Sequence, residues 1–248
     1  MLHNNIRGRL ALITGASGGI GAACAHQLGQ LGANLALTYS TNLSSINDLV
    51  ADLQSKDATN KLRISIHPVD VGSPDQIEAM FQQIDAQHGQ RPDILISNAG
   101  YGERVPNVWD ISLEEFDYML HVNLRASFLL VKGVVDHMKS QRWGRIVFMS
   151  SIAAYGGGIN GCRERTERLD EKNLSARLAE YNVSVNDVAP AMIGDTGMVP
   201  STKEMADVAG NIPLRRLGSP EETANVVTML VQTGYMTGQS LLLAGGLK

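Results

Sequence analysis

A cluster of glycines near the start of the chain has the spacing of a site that binds a phosphate-containing ligand. The stretch TGASGGIG runs from Thr14 to Gly21, between an apolar run and a helical pattern. Glycine permits a tight turn and lets backbone amides approach a pyrophosphate, whose charge faces the amino end of the helix. The order of strand, turn and helix predicts a dinucleotide site, with an ordinary tight turn as the alternative. The predicted contacts are Gly15, Ser17, Gly19, Ile20 and Gly21.

Seven short apolar runs alternate with helical patterns along the chain. They read LALITG, NLALTYS, ISIHPVD, DILISNAG, RIVFMSS, VSVNDVAP and SLLLAGG, and they are nearly continuous in Leu, Ile, Val and Ala. Such runs are typical of strands that are buried on both faces. Their alternation with helices predicts an α/β fold with a doubly wound parallel sheet and helices on both faces.

The ends of several helices can be located from capping residues. Ser73 with Pro74 predicts the start of one helix, and Gly89 predicts its end. Ser112 and Ser219 are each followed three residues later by Glu, which is the capping-box pattern. The chain contains no linker-like tract and no internal repeat, so residues 1–248 are expected to form a single domain.

The composition excludes several classes of function. The net charge of −4, with 19% charged residues, gives no basic excess for binding nucleic acid. The apolar runs are far shorter than the ~20 residues that a membrane span needs, and the first residues lack the apolar core of a signal peptide. Cys24 and Cys162 form no disulfide framework, so the reducing cytoplasm is the expected location. The six histidines have no metal-ligand spacing, and no metal is expected.

Further motifs, taken with the glycine turn, resemble the short-chain dehydrogenase/reductase family. They are SNAG at Ser97–Gly100, HVNLRASF around Asn123 and GRIVFMSSIA at Gly144–Ala153. The segments IPLRRLGSPEETANVV and TGQSLLLAGG resemble the C-terminal third of its 3-oxoacyl-acyl-carrier-protein reductase-like members. The resemblance covers nearly the whole chain. It implies a Rossmann-type sheet of seven parallel strands and hydride transfer between a nicotinamide cofactor and a small carbonyl substrate, with a 3-oxoacyl thioester as one option.

The end of the second apolar run bears on the choice of cofactor. Rossmann folds that bind NAD usually place an acidic residue there, bonded to the ribose 2′-hydroxyl. Here the run ends in Tyr39 and Ser40, and no acidic residue appears before Asp48. A 2′-phosphate would meet no repulsive carboxylate, which favours NADP(H) over NAD(H). Many NADP-using relatives carry Arg or Lys inside the glycine turn, where this chain has Gly18.

The resemblance also implies contacts for the rest of the cofactor. Asp70, followed by Val71, matches the family Asp that meets the adenine amino group, with a helix cap as its alternative role. The segment APAMIGDTGM matches the family segment over the nicotinamide, with Ala191 where relatives have Gly. The implied contacts are Asp70, Val71, Asn98, Ala99, Gly100, Pro190, Ile193 and Thr196.

Two members of the family's catalytic set are present. Asn123 matches the Asn that anchors a water in a proton relay, and its alternative role is a packing amide between helices. Ser151, the second Ser of MSS, matches the Ser that bonds the substrate oxygen. The family also uses Tyr-x-x-x-Lys on one helix face, where the ammonium lowers the phenol pKa and holds the nicotinamide ribose.

The Tyr and Lys of that motif are missing. The family Tyr follows the Ser by about 13 residues, which leads from Ser151 to Glu164, and four residues further stands Arg168. A carboxylate with an ordinary pKa of ~4.3 donates no proton at neutral pH. Arg168 keeps a positive charge and can hold a ribose hydroxyl or pair with Glu164. The remaining candidates, Tyr101, Tyr155 and Tyr181, lack the required spacing.

Glu164 and Arg168 belong to a densely charged stretch, in which eight of the ten residues from Arg163 to Lys172 are charged. One explanation is a solvated helix with ion pairs four residues apart. The other is a reading-frame or splice-boundary artefact. The sequence thus leaves open an active reductase, a non-catalytic NADP-binding sensor or partner subunit, and an inactive product. The family's homotetramer or homodimer is expected too, although charges at its helix interface would weaken it.

Overall fold

A computed structural model describes residues 4–57, 61–102, 107–155, 171–199 and 205–247. It contains one seven-stranded sheet in which all paired strands are parallel, in the order β3-β2-β1-β4-β5-β6-β7. Every strand falls on one of the seven apolar runs, so the predicted α/β fold is confirmed. The strands are β1 Leu10–Ile13, β2 Asn34–Tyr39, β3 Ile64–Pro68, β4 Ile94–Ser97, β5 Gly144–Met149, β6 Val183–Pro190 and β7 Ser240–Leu243.

Helices cover both faces of the sheet. Leu28, Ile46 and Val227 pack on one face, and Ile77 and Leu130 pack on the other. The first face is covered by α1 Gly19–Gln30, α2 Leu43–Lys56 and α8 Pro220–Gln232, and the second by α3 Pro74–His88, α5 Ala126–Ser140 and α6 Glu171–Leu178. The helix α4 Leu113–Leu120 follows β4 in the chain, and α7 Ala206–Asn211 follows β6. No helix among the described residues is both long and apolar enough to cross a membrane.

The predicted caps are found at their expected places. The Ser73 side chain accepts from Gln76 N, and Gly89 ends α3 in the left-handed conformation with φ of 75°. Ser219 and Glu222 form a complete capping box at the start of α8. The Ser112 hydroxyl accepts from Glu115 N and caps α4.

One long helical segment departs from regular α-helix. Between α4 and α5, His121–Arg125 forms a π-helical turn, so the chain stays helical from Leu113 to Ser140 with one wider turn inside it. Single π turns in α-helices occur often at functional sites. Here the wider turn contains Asn123, one of the two catalytic candidates.

Candidate functional site

The strand order places the candidate site at the carboxyl edge of the sheet. The chain moves outward in one direction from β1 through β2 to β3, and then returns to begin the other half at β4. Ligands of open α/β sheets bind in the crevice at such a switch point. The loops that follow β1, β4 and β6 carry most of the predicted contacts and approach one another there.

The glycine turn after β1 is too crowded for side chains. A Cβ at Gly21 would lie 2.4 Å from the carbonyl oxygen of Gly15, and a Cβ at Gly19 would lie 2.5 Å from that of Asp195. Gly15 itself has φ of +66° and approaches the backbone of Ala99. Glycine is therefore required at these three predicted positions by local geometry.

The amino end of α1 suits an anionic group. Gly18 precedes the helix and provides no side-chain cap, and the first turn contains no acidic residue. The amides of this turn and the helix dipole both favour negative charge. Ser17 and Ile20 are half-buried beside the turn, as expected for residues that border a ligand. The residues present fit the pyrophosphate of a dinucleotide.

Two buried threonines, which the sequence analysis missed, hold this turn in place. The Thr38 hydroxyl at the end of β2 accepts from Gly15 N at 3.1 Å. The Thr14 hydroxyl at the end of β1 accepts from Asn98 N and Ala99 N, both at 2.9 Å. The Asn98 amide donates back to Thr14 O at 2.9 Å. The only sequence signal for these contacts is a hydroxyl residue that ends an otherwise apolar strand.

The end of β2 presents neutral polar groups. Tyr39 is partly buried against the core, and Ser40 is exposed. The Asn42 side chain caps α2 by accepting from Ser45 N at 3.0 Å, and the first turn of α2 contains no acidic residue. The region where a ribose 2′-substituent is expected therefore contains hydroxyls and a helix amino end, with no carboxylate from Tyr39 to Ser45.

Asp70, after β3, stabilises its own turn. Its Oδ1 accepts from Gly72 N at 2.8 Å, and its backbone N–H donates to the side chain of Gln76 at 2.8 Å. Val71 is buried in the core beside it. The alternative role considered from the sequence, a helix cap, is filled by Ser73, and the Asp70 side chain holds the turn before α3 instead. The adenine contact of Asp70 and Val71 stays a prediction.

The oxygen and the nitrogen of the Asn123 side-chain amide both bond the loop after β4. Its Nδ2 donates to Tyr101 O at 2.8 Å, and its Oδ1 accepts from Tyr101 N at 2.8 Å. Gly100, one of the predicted cofactor contacts, also lies beside Asn123, because a Cβ at Gly100 would be 3.6 Å from the same Oδ1. The Asn123 backbone carbonyl accepts from Ser127 at 3.2 Å. Its amide is therefore a positioning group for the loop that runs from Asn98 to Gly100.

Ser151 follows β5 at the same edge of the sheet. Its hydroxyl accepts from Ala153 N at 3.2 Å and caps a short 3-10 turn, Ile152–Ala154. The hydroxyl hydrogen can still be donated to a substrate oxygen, because the cap uses only a lone pair. Asn123 thus bonds the loop that follows β4, and Ser151 follows the neighbouring strand β5.

The structure gives the positions of the three tyrosines that were considered as substitutes for the missing proton donor. The Tyr155 hydroxyl donates to Ser240, which in turn donates to the buried carboxylate of Asp187. Tyr101 packs edge-on against Tyr118. Tyr181 precedes β6, at the opposite edge of the sheet from Ser151.

Glu164 and Arg168 lie outside the described residues, as does the rest of 156–170. The structure therefore does not test the predicted positions of these two residues or the helix proposed for them. Glu171 and Lys172, the last two residues of the charged stretch, belong to α6.

The loop after β6 closes the crevice from the other side. Pro190 ends β6, and Ile193 is buried and bridges to Gly218. The Thr196 hydroxyl donates to Ile193 O at 3.2 Å and accepts from Val199 N at 3.1 Å, so it is used inside its own loop. These three predicted residues lie on one segment, and that segment contacts the start of α1 through Asp195.

Together these loops define a class of site. A parallel sheet with a glycine turn at its switch point, a helix amino end free of acids and a covering loop after β6 form a Rossmann-type dinucleotide site. Within the described ranges, no three His, Cys, Asp or Glu side chains are grouped as metal ligands.

Comparison with known proteins identifies the family. A family model described as enoyl-(acyl carrier protein) reductase matches residues 15–248. The 3-oxoacyl-[acyl-carrier-protein] reductase FabG of Aquifex aeolicus is 33% identical over 252 residues, which cover 98% of this chain and 98% of that protein. The chain belongs to the short-chain dehydrogenase/reductase family, a family of oxidoreductases that bind a nicotinamide cofactor. This confirms the assignment made from the sequence motifs.

Solved structures share the whole fold. A short-chain dehydrogenase/reductase from Serratia marcescens superposes with a TM-score of 0.86 at 26% identity, over 98% of both chains. A blue fluorescent protein from a metagenomic library, solved in complex with NADPH, superposes with a TM-score of 0.86 at 28% identity, again over 98% of both chains.

Proposed function

We propose that the protein binds NADP(H) and belongs to a lineage of carbonyl reductases that convert a 3-oxoacyl thioester or a similar ketone to the alcohol. The observation that carries this proposal is the electrostatic character of the cofactor crevice. The turn after β1 requires glycine at three positions, and the loop after β2 offers Ser40 and the amino end of α2 without any carboxylate. A 2′-phosphate gains hydrogen bonds there and meets no like charge.

In the proposed reaction, a carbonyl receives a hydride at carbon and a proton at oxygen. The bound cofactor supplies the hydride. Ser151 donates a hydrogen bond to the substrate oxygen from the end of β5. Asn123 keeps the loop after β4 in place through the backbone of Tyr101. Pro190, Ile193 and Thr196 cover the nicotinamide end, and Asp70 accepts from the adenine amino group.

This chain lacks the tyrosine that serves as proton donor in the family. Glu164 stands where the family has its Tyr, and a carboxylate of ordinary pKa donates no proton at neutral pH. We therefore propose that turnover is strongly impaired while cofactor binding is retained. The second candidate function follows from the same substitution. A chain that keeps the cofactor crevice and lacks the acid can act as a non-catalytic NADP-binding sensor or partner subunit.

One experiment separates these functions. Purified protein is titrated with NADPH, and nicotinamide absorbance is then followed with a panel of β-keto esters, 3-oxoacyl thioesters and 2-enoyl thioesters. The enoyl substrates are included because the matched family model is described as an enoyl reductase. Measurable turnover, even if slow, supports the impaired reductase, and binding with no detectable turnover supports the sensor. Absence of binding contradicts both.

The double variant E164Y/R168K tests the reaction centre directly. It returns the phenol and the ammonium to the positions counted from Ser151, so we expect keto-substrate turnover to rise by at least two orders of magnitude, as general acid catalysis typically contributes. The matched control is E167Y/R168K, which places the Tyr directly before the Lys in sequence and not four residues before it. If neither variant gains activity, the roles of Asn123 and Ser151 are also wrong.

We further propose that the protein forms a homodimer or homotetramer through α4 and α5. Leu113, Phe116 and Phe128 are exposed along this helical segment, with Trp109 just before it. Leu113 and Phe116 are three residues apart and share one helix face. Light scattering of the protein, compared with an F116E variant, tests the assembly. A wild-type monomer contradicts it.

A further inference from the structure

An aromatic side chain from α4 lies between the loops that follow β3 and β4. The ring centroids of Tyr118 and Tyr101 are 4.9 Å apart, with the ring planes at 75°. On its other side, Tyr118 Cε2 lies 3.5 Å from the position that a Cβ of Gly72 would occupy. Tyr118 therefore touches both loops at the end of the crevice where Asp70 stands.

The ring of Tyr118 packs beside Asp70 and keeps part of its surface accessible. A Cβ at Gly72 would also lie 3.0 Å from Asp70 Oδ1 and 3.4 Å from Val122 Cγ2, so the side chains of Asp70, Val122 and Tyr118 are packed closely around Gly72. Tyr118 remains 43% exposed although it packs against two loops. Partial burial and the negative charge of Asp70 both raise the pKa of Tyr118, which keeps its hydroxyl protonated beside that carboxylate.

We propose that Tyr118 contacts the adenine base of the cofactor with its accessible ring surface and thereby sets the affinity for the adenosine half. The inference rests on the proposed function, which places the adenine amino group on Asp70. A purine presents a π-face on which aromatic side chains can stack, and replacing such an aromatic residue with alanine weakens binding substantially. Tyr101 supports the ring from behind, and Asn123 fixes the backbone of Tyr101.

The experiment compares three variants with the wild type. In Tyr118→Ala the ring is lost, in Tyr118→Phe the ring is kept without its hydroxyl, and in Tyr235→Ala a fully exposed ring elsewhere is removed. Dissociation constants are measured for NADPH, NADH and adenosine 2′,5′-bisphosphate, by nicotinamide fluorescence and by competition. Because all three ligands contain adenine, we expect Tyr118→Ala to weaken each by about the same factor, roughly tenfold. Tyr118→Phe and Tyr235→Ala should stay within about twofold of the wild type.

Several results would overturn the inference. One is an unchanged NADPH affinity in Tyr118→Ala. Another is a loss for NADPH that is absent for adenosine 2′,5′-bisphosphate, since the effect would then act at the nicotinamide end. If Tyr118→Ala lowers thermal stability, Tyr118→Leu restores apolar packing on Tyr101 without an aromatic face. Recovery of affinity in Tyr118→Leu contradicts the contact with adenine. If the wild type binds no nicotinamide cofactor, the proposed function fails first, and this inference fails with it.

Discussion

Asn123 and Tyr101 are joined by a pair of hydrogen bonds, in which the side-chain amide of Asn123 both donates to and accepts from the backbone of Tyr101, each at 2.8 Å. The two hydrogen bonds resemble those between paired residues on adjacent β-strands. It ties the π turn between α4 and α5 to the loop after β4. The loop that carries Asn98, Ala99 and Gly100 is thus fixed from outside the sheet.

The first prediction concerns this pair. Asn123→Ala removes two hydrogen bonds to the backbone of Tyr101, which costs about 1–3 kcal/mol of unfolding free energy. Chemical denaturation measures this cost, and NADPH titration should show weakened binding as the loop after β4 loosens. Asn225→Ala is the matched control, because it removes a single exposed hydrogen bond to Gln27. Equal losses in the two variants would contradict the positioning role of Asn123.

The second prediction concerns the glycine turn. Gly21→Ala places a methyl group 2.4 Å from the carbonyl oxygen of Gly15, so the turn must move, and we expect NADPH binding to be lost together with about 2 kcal/mol or more of stability. Gly18→Ala adds the same methyl group at an ordinary contact distance of 3.5 Å and with a φ of −94°. This control should fold normally. Isothermal titration and thermal denaturation of both variants provide the comparison.

The third prediction concerns the preference for a 2′-phosphate. Ser40→Asp places a carboxylate at the end of β2, where it repels the phosphate of NADPH and can accept from the free 2′-hydroxyl of NADH. We expect the dissociation constant of NADPH to rise at least tenfold, about 1.4 kcal/mol, with NADH binding unchanged or tighter. Ser55→Asp makes the same change in charge near the far end of α2. A parallel loss for both cofactors in Ser40→Asp would show that the site does not discriminate through this residue.

The fourth prediction concerns pH and a chain of hydrogen bonds under α3. His88 Nε2 contacts Ser65 Oγ at 2.9 Å, Ser65 Oγ contacts His67 Nε2 at 2.7 Å, and His67 Nδ1 faces Gln83 Oε1 at 3.0 Å. With donors and acceptors alternating along this chain, both imidazoles are neutral. Burial lowers the pKa of His67, and burial together with the nearby charge of Arg63 lowers the pKa of His88 to about 4.

The sign of the effect follows from these directions. An unfolded His takes up its proton near pH 6.5, whereas folded His88 resists protonation until about pH 4. The unfolded state therefore binds more protons in this window, and the stabilisation present above pH 6.5 is lost as the pH falls towards 4. Urea denaturation across the window measures the slope. His88→Gln, which cannot titrate, should give a shallower slope, and an unchanged slope would contradict the assignment.

The strands could be predicted from the sequence because both of their faces are buried. Runs such as LALITG and DILISNAG are continuous in apolar residues, and β1 and β4 are fully buried. The ends of α3 were equally clear, since Ser73, Pro74 and Gly89 each act through local backbone chemistry. These features depend on neighbours in sequence or on burial alone.

Other features of the site depend on contacts between distant parts of the chain. The hydroxyls of Thr14 and Thr38 bind backbone groups 84 and 23 residues away in sequence, and no local pattern indicates those partners. The π turn around Asn123 is also invisible in a sequence that favours regular helix. The wider turn is seen only in the structure, where the Asn123 side chain bonds the backbone of Tyr101.

The contact between Gly19 and Asp195 has a consequence for how related sequences can vary. The carbonyl oxygen of Asp195 occupies the space of any side chain at position 19, although the two residues are separated by most of the chain. A relative with a larger residue at position 19 must have a displaced or shortened loop after β6. Substitutions at position 19 should therefore occur during evolution only together with a change in that loop, whereas the loop can change while glycine is kept.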